Sequence, residues 1–536
     1  MARAGKVSVN YLMTGRAWKQ PDRRIGANVI ISGEREISYL DIQNRIARAA
    51  AGLKNLGLRG GTPVGMMLRN DFALFEVTAA AAALSSPVVP VNWHLKADEV
   101  SYILADCGAD ILVCHADLLP QIRDGLAKRL QVLVVATPPE IAAAFGVKPA
   151  DARVPNGFTD WDSWRDSHPP SQEEPGRASP MFYTSGTTGR PKGVRRQPMQ
   201  PEQMAAAERV SAITYGVKPD QDQVILMNGP MYHSAPSSYG MLAFRHRCKI
   251  VLEPRFDPED LLQLVERHRV THMHMVPTMF VRLLRLPEDV KARYDLSSLQ
   301  FVVHGAAPCP VHVKQAMIKW WGPVINEYLG STETGIPVWH SSLEALAKPG
   351  TVGRVIEGGI VKIFGPNGQP CGVNEPGEIF MRQTTLSDFG YHGRADARAE
   401  AGREDLVSVG DVGYFDADGY LFLCDRIRDM VISGGVNIYP AEIESVLIGM
   451  DGVRDCAVFG IPDDEFGERL CACIEPESGA MLTPAAVQDY LRHRLANFKV
   501  PKDVQFLDAL PREATGKIFK RKLRDPYWEA RSRERT

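Results

Sequence analysis

The sequence predicts an α/β protein. It should have a large N-terminal domain of mostly parallel sheets plus a small β unit, and a mobile small α+β C-terminal domain. Three observations predict this. Short apolar runs alternate with helical patterns through most of the chain. Between 353 and 424 that alternation gives way to closely spaced Gly, Pro, Asn and Asp turn signals. After Asp425-Arg426 the pattern restarts with a helix beginning near Pro440. A chain of 536 residues exceeds one small core, which agrees with several structural units.

Taken in order, the runs 88–91, 111–113 and 132–135 are apolar throughout, as are 224–227 and 301–303, and 249–252 is apolar after Lys249. Strands that are apolar on both faces are buried on both faces, which is the signature of a parallel sheet. Segments 39–56 and 260–269 have helical spacing between them, and a further strand is expected at 323–325. Turn signals at 365–368, 374–377 and 416–419 then separate short strands, predicting an antiparallel β unit. In the last part, Pro440 suits a first helical turn, and a strand at 456–461 and a helix at 484–494 follow. The expected division is 1–427 and 428–536.

Bulk properties exclude several classes. Hydrophobic residues make up 44% of the chain, charged ones 24%, and the net charge is −2. That balance carries no footprint for nucleic acid or an anionic membrane surface. The nine cysteines include no Cys-x-x-Cys pair, so neither a disulfide framework nor a zinc site is expected. The first residues lack an apolar leader, and no run of membrane-spanning length occurs. The expectation is a cytoplasmic protein without integral membrane association. Its oligomeric state is open, and a homodimer is compatible with it.

Residues 183–194 carry the strongest functional signal: Tyr-Thr-Ser-Gly-Thr-Thr-Gly-Arg-Pro-Lys-Gly-Val. Three glycines, a serine, three threonines and two cations disfavour a helix or packed strand and suit a loop wrapped around a polyanion. Thr184, Ser185, Gly186, Thr187, Thr188, Gly189 and Lys192 are the phosphate-binding candidates. No Ser or Thr follows the lysine, so this is not a Walker A loop. Further on, Tyr328-Leu-Gly-Ser-Thr-Glu333 places hydroxyls and a carboxylate after the strand expected at 323–325. A carboxylate beside a triphosphate is tolerated through a divalent cation, which makes Glu333 the natural Mg²⁺ ligand. The small residues Gly305, Ala306, Ala307 and Pro308 leave room for a flat ring, and Asp411 suits ribose hydroxyls. Each of these last two has an ordinary reading as a turn.

Together these segments resemble the adenylate-forming superfamily of acyl-CoA synthetases, firefly-type luciferases and peptide-synthetase adenylation domains. The resemblance runs nearly end to end, with motifs in order from Tyr183 to Lys517. It implies ATP, Mg²⁺ and coenzyme A as cofactors and substrates. The 183–194 segment is similar to the family's phosphate loop, and 328–333 is similar to its Tyr-Gly-x-Thr-Glu motif, with Leu329 inserted before Gly330. The resemblance implies Tyr328 on the nucleotide, Thr332 on the α-phosphate and Glu333 on the metal. It also implies an adenine platform at 305–308, and Asp411 and Arg426 on the ribose. Arg428 stands at the hinge position, and Lys517 matches the adenylation lysine. Gly434, Gly435 and Val436 resemble the loop lining the CoA tunnel, where a narrow passage needs backbone without side chains.

The resemblance further implies an acyl pocket from Ser234, Ala235, Pro236, Met241, His304, Gly330, Ile336 and Pro337, with His233 beside the substrate carboxylate. Apart from Glu333 these stretches hold no Asp, Glu, Lys or Arg. That disfavours amino acids and diacids and favours a hydrophobic monocarboxylic acid, whether fatty, aryl or alicyclic. His304 has a structural reading beside the functional one. The expected activity is ATP-dependent acyl-CoA synthesis through an acyl-adenylate, releasing AMP and pyrophosphate. Alternatives are the same fold serving another acceptor, luciferase-like or a carrier-protein ligase, and a CoA acyltransferase suggested weakly by His392-Gly-Arg-Ala-Asp396.

Overall fold

Six strands pair in parallel at the centre of the computed structural model, which describes residues 28–171, 178–184, 191–219, 221–426, 429–433, 436–512 and 518–534. In spatial order they are Val29–Ser32, Lys249–Leu252, Val224–Met227, His272–Met275, Phe301–His304 and Ile325–Ser331. Most of their residues are buried on both faces, as their mainly apolar composition requires, with His272, His274 and His304 among the buried polar exceptions. A second parallel sheet, in the order Val88–Pro90, Val64–Met67, Ile111–His115, Gln131–Val135 and Thr159–Asp160, packs beside the first. Between the two sheets sit Tyr39–Asn55 and Phe72–Ala83, whose Tyr39 and Phe75 meet Phe244 at ring-centroid distances of 5.5 and 5.1 Å. Each such fully buried aromatic contributes about 2–3 kcal/mol from area alone.

Local signals set the ends of these elements. The Ser38 hydroxyl caps Tyr39–Asn55 by accepting the Asp41 N–H at 3.1 Å. Asp257 caps Pro258–His268, and Arg269 closes that helix in the left-handed region at φ 52°.

The turn-rich segment forms antiparallel strands, and the central sheet continues into them without a break. Ile325–Ser331 pairs with Gly335–His340, which pairs with Thr351–Val355, then Leu421–Arg426, Asp411–Phe415 and Gly377–Gln383. A separate five-stranded sheet holds Val431–Ser433, Val436–Ile438, Val453–Asp463, Gly467–Pro476 and Asp503–Phe506. The helices Pro440–Leu447 and Lys520–Glu534 pack on it, completing a small α+β body.

Two expectations are corrected. The strand placed at 323–325 begins at Ile325 and runs to Ser331, because Gly322 ends the preceding helix and Pro323 opens a turn. The 183–194 motif, expected to be loop throughout, has strands as its feet. Phe182–Thr184 and Lys192–Arg196 form an antiparallel pair with Thr184 opposite Lys192, extended on the other side by Phe389–Tyr391. Only 185–190, between those strands, lie outside the described residues.

Burial makes three core histidines and the cleft histidine His233 sensitive to acid. His233, His272 and His274 are pushed down to about 4 and His304 to about 3, in each case chiefly by burial. The unfolded chain titrates near the ordinary value of ~6.5, so below it the unfolded state binds protons that the folded state refuses. The stability these groups contribute is complete above pH ~6.5 and falls as pH drops toward 4. A loss of roughly 1–2 kcal/mol per histidine is expected between pH 7 and 5, before carboxylates titrate. Urea unfolding at the two pH values tests this; equal midpoints would overturn it.

Candidate active site

The turn at 332–334 is the meeting point of the cleft between the two bodies. It joins Ile325–Ser331 to Gly335–His340 and is tied internally: the Ser331 hydroxyl accepts the N–H groups of Glu333 at 3.2 Å and Thr334 at 3.1 Å. A Cβ on Gly330 would lie 2.1 Å from the Gly335 carbonyl oxygen, so the two strands close on each other only because that position has no side chain. Arg196 clamps the turn from outside. Its guanidinium donates to the carbonyls of Thr332 at 2.7 Å, Glu333 at 3.0 Å and Ser387 at 2.8 Å. Burial lowers its pKa to about 10, against the pull of Glu333 and Asp388, and it remains a cation at neutral pH.

Side chains from three other segments converge on this turn. The Thr184 hydroxyl, at the foot of the 185–190 segment, donates to Glu333 Oε1 at 2.9 Å. Tyr391 is raised first by burial and then by the charge of the nearby Glu333, and its ring lies 5.2 Å from the Lys192 ammonium. On the other side, Thr332 Oγ1 lies 2.8 Å from Ser234 Oγ, the first residue of the helix Ser234–Arg245. The strand feet are anchored in turn: the Tyr183 hydroxyl donates to Asp106 at 2.6 Å and the Tyr102 hydroxyl to the Pro191 carbonyl at 3.1 Å.

His233 stands just before that helix. Its Nε2 is buried and has no hydrogen-bond partner among the described residues, and with its pKa near 4 the imidazole is neutral. Ala306, Ala307 and Pro308 line the cleft, Ala306 in the left-handed region at φ 68°. A non-glycine residue held there is strained backbone at a site where close approach is needed. Asp411 also lines the cleft and stands opposite Arg426 in an antiparallel strand pair.

The expected acyl residues divide. Ser234, Ala235, Pro236, Met241, Gly330 and Ile336 line the cleft. His304 and Pro337 are buried behind it. His304 sits with its ring edge on Phe280 and 3.9 Å from Glu327, whose carboxylate is also bonded to His340 at 2.8 Å and paired with Lys314. Burial alone would raise Glu327; Lys314 and the two histidines instead hold it well below the usual carboxylate range. Tyr328 lines the cleft and is anchored behind it. Its hydroxyl bonds His274 Nε2 at 2.9 Å and its ring fills the space where a Gly305 Cβ would lie 2.6 Å away, so it supports the 305–308 turn from below. Alternation along the strand puts Leu329 on the opposite face.

Val436 is 46% exposed and stands outside the cleft. Ser185, Gly186, Thr187, Thr188, Gly189, Arg428, Gly434, Gly435 and Lys517 lie outside the described residues, and Arg426 is described in its backbone alone. Sequence reasoning missed Arg196 and Tyr391. Period-two alternation in 192–196 was the available signal, since it places Lys192, Val194 and Arg196 on one face of a strand.

Among the described residues no group of three or more His, Cys, Asp or Glu is arranged to hold a metal. A single carboxylate at Glu333 nonetheless suits Mg²⁺, which is commonly held by one or two carboxylates together with substrate phosphates and water.

A family model described as AMP-binding enzyme matches residues 16–390, and one described as AMP-binding enzyme C-terminal domain matches 442–517. A feruloyl-CoA synthase of Amycolatopsis sp is 33% identical over 507 residues, covering 93% of this chain and 95% of that protein. A long-chain-fatty-acid–CoA ligase of Mycobacterium tuberculosis is 31% identical over 534 residues, covering 97% and 98%. The fold is similar to that of the o-succinylbenzoate CoA synthetase of Bacillus subtilis, solved with its acyl-adenylate intermediate. That match has a TM-score of 0.77 and 26% identity, and covers 96% of this chain and 97% of that one.

Proposed function

This chain belongs to the AMP-binding enzyme family and is an AMP-forming acyl-CoA ligase; we propose that its substrate is a hydrophobic monocarboxylic acid, fatty, aryl or alicyclic. The observation that carries the reading is the 332–334 turn. There the foot of the phosphate segment hydrogen-bonds the lone carboxylate of Glu333, and the first hydroxyl of the helix Ser234–Arg245 lies within hydrogen-bond distance of the adjacent Thr332 hydroxyl.

A carboxylate is a poor electrophile until it has a good leaving group. Its oxygen attacks the α-phosphorus of ATP, the bond from that phosphorus to the bridging oxygen breaks, and acyl-adenylate and pyrophosphate result. Thr332, oriented by Ser234, would donate to the α-phosphate as charge builds there. Thr184, Lys192 and the 185–189 segment would hold the departing phosphates. Mg²⁺ bound at Glu333 would supply neutralising charge. Ala306–Pro308 would take the adenine, with Asp411 and Arg426 on the ribose. A neutral His233 would face the substrate carboxylate without pinning it as an ion pair. In the second half, the CoA sulfur attacks the acyl carbon and the C–O bond to AMP breaks. We further propose that 428–536 turn about Arg428 to exchange Lys517 for the Gly434–Gly435 segment between the two halves.

The walls support an apolar tail: Ala235, Pro236, Met241 and Ile336 are uncharged. A feruloyl-CoA synthase and a long-chain-fatty-acid–CoA ligase among the relatives support both aryl and fatty acids. Pyrophosphate release over a panel of fatty, benzoic, cinnamic and steroidal acids tests this. The best of them is expected to exceed acetate at least about thirtyfold in kcat/KM. Preference for acetate or for a diacid would overturn the reading.

A further inference from the structure

The helix Ser234–Arg245 turns one stripe of side chains into the cleft. Ala235, Ser238, Met241 and Arg245 recur at helical spacing and keep some exposure there, while Tyr239, Gly240 and Ala243 are buried behind them. The helix Pro201–Tyr215 presents Met204, Glu208, Ser211 and Tyr215 to the same cleft at the same spacing. The two helices run antiparallel. Tyr215 meets Tyr239 at a ring-centroid distance of 5.5 Å, and further along Glu208 lies 4.0 Å from Arg245 and 3.5 Å from His246. The two stripes wall a groove that starts at Ser234, beside Thr332, and ends at Glu208, Arg245 and His246. At about 1.5 Å of rise per residue, its length is about 15 Å.

This groove is not uniformly apolar. Tyr215 is 4% exposed and lines the cleft, yet its hydroxyl has no hydrogen-bond partner among the described residues. Its ring packs edge-on against Tyr239, His274 and Tyr328 at 5.5, 6.2 and 6.1 Å, and His274 Nε2 is already bonded to the Tyr328 hydroxyl at 2.9 Å. Burial raises the Tyr215 phenol, so its hydroxyl is neutral and able to donate or accept. Ser211 and Ser238 also line the cleft with hydroxyls that make no hydrogen bond among the described residues. A buried polar group without a partner is costly. An unsubstituted alkyl chain laid along the groove would leave Tyr215 unpaired and would end against the charged pair Glu208–Arg245. Oxygen atoms on the substrate would satisfy both.

We propose that the groove takes an oxygenated ring acid, one whose rings carry hydroxyl or oxo groups, and that Tyr215 selects it by hydrogen-bonding such a group on the body of the acid. This rests on the acyl-CoA ligase reading above and narrows its fatty, aryl or alicyclic acids to ring acids bearing oxygen. Ala235 and Ser238 leave width for a ring near the reacting end, and Met241 supplies apolar contact midway. Ser211 and Ser238 are secondary partners on the two walls. Glu208, Arg245 and His246 favour a polar group over a methyl group at the far end. Tyr215 touches no reacting atom in this arrangement, so it is a specificity-determining residue.

The test measures pyrophosphate release with matched pairs of acids: 4-hydroxycinnamic and cinnamic acid, and a hydroxylated steroidal acid with its deoxy counterpart. Hexadecanoic acid serves as the plain alkyl comparison. In the better pair the wild-type enzyme is expected to favour the oxygenated member by about tenfold or more in kcat/KM, and to turn over hexadecanoic acid more slowly than that member. Tyr215→Phe keeps the ring and removes one oxygen atom. It is expected to raise KM for the oxygenated acid about tenfold with little change in kcat, bringing the two members within about threefold of each other. Ser211→Ala should narrow the gap less. Equal losses on both members of a pair would mark Tyr215 as purely structural and overturn the proposal, as would hexadecanoic acid outrunning every ring acid. Equal turnover of oxygenated and deoxy acids by the wild type would overturn this inference alone. Pyrophosphate release with none of the acids would overturn the ligase reading with it.

Discussion

Lys517→Ala is expected to lower adenylate formation by about 10²–10³, while the same variant still converts a supplied acyl-adenylate to its CoA thioester. The charge that develops on the α-phosphate and bridging oxygen exists only in the first half-reaction. A cation serving it is dispensable once pyrophosphate has left. Lys517 itself lies outside the described residues, but the chain on either side of 513–517 is firmly held on the small body. Arg512 and Ile518 form a β-bridge, and the Phe519 N–H donates to the Pro511 carbonyl at 2.7 Å. Arg512 pairs with Asp455 at 2.8 Å and Glu475 at 3.2 Å, and Lys520 pairs with Glu444 at 2.8 Å. Two pinned ends let the small body carry this segment as a unit. Adenylation is read by pyrophosphate exchange and thioester formation by thiol consumption from synthetic acyl-adenylate. Equal losses in both assays would sink the exchange of roles between the half-reactions.

The parallel strands could be read from the sequence because burial on both faces leaves a mainly apolar run, and 224–227, 249–252 and 301–303 each became the strand expected. The catalytic candidates were visible as types, since hydroxyls, glycines and a carboxylate suit a polyphosphate wherever they fold. Register was the part that stayed hidden. Glu327 faces His340 across an antiparallel pair, and nothing in the spacing of those residues says so. Placing the preceding strand at 323–325 removed the alternation that turns Tyr328 under Gly305 and away from Leu329. The same cause hid Arg196. Glycine and proline density in 183–194 argued for loop, so the face shared by Lys192, Val194 and Arg196 was not drawn. His304 could not be assigned because a strand-end histidine faces either a cleft or a core, and Phe280 and Glu327 decide it from distant parts of the chain.

Arg196→Met is expected to cost stability and rate together, and the conservative Arg196→Lys should separate them. The guanidinium is the common donor for three carbonyls from two chain segments, those of Thr332, Glu333 and Ser387. Methionine keeps most of the buried volume and removes every donor, leaving carbonyl oxygens without their charged partner. Hydrogen bonds to a buried cation are strong, and losing the set should lower unfolding free energy by roughly 3–5 kcal/mol. The turn also fixes where Thr332 and Glu333 present their side chains to Ser234 and Thr184. A displacement of about 1 Å there is enough to cost about a hundredfold in adenylation, because positioning of the reacting groups is lost. Lysine restores the charge but not the planar fork that reaches several carbonyls at once. Its stability should therefore recover more than its rate, with the loss in kcat and not in KM for the acid. Arg196→Met unfolding at the wild-type urea midpoint, or adenylating within about threefold of wild type, would show that the turn is set by its own Ser331 and Thr334 bonds and that Arg196 only covers it.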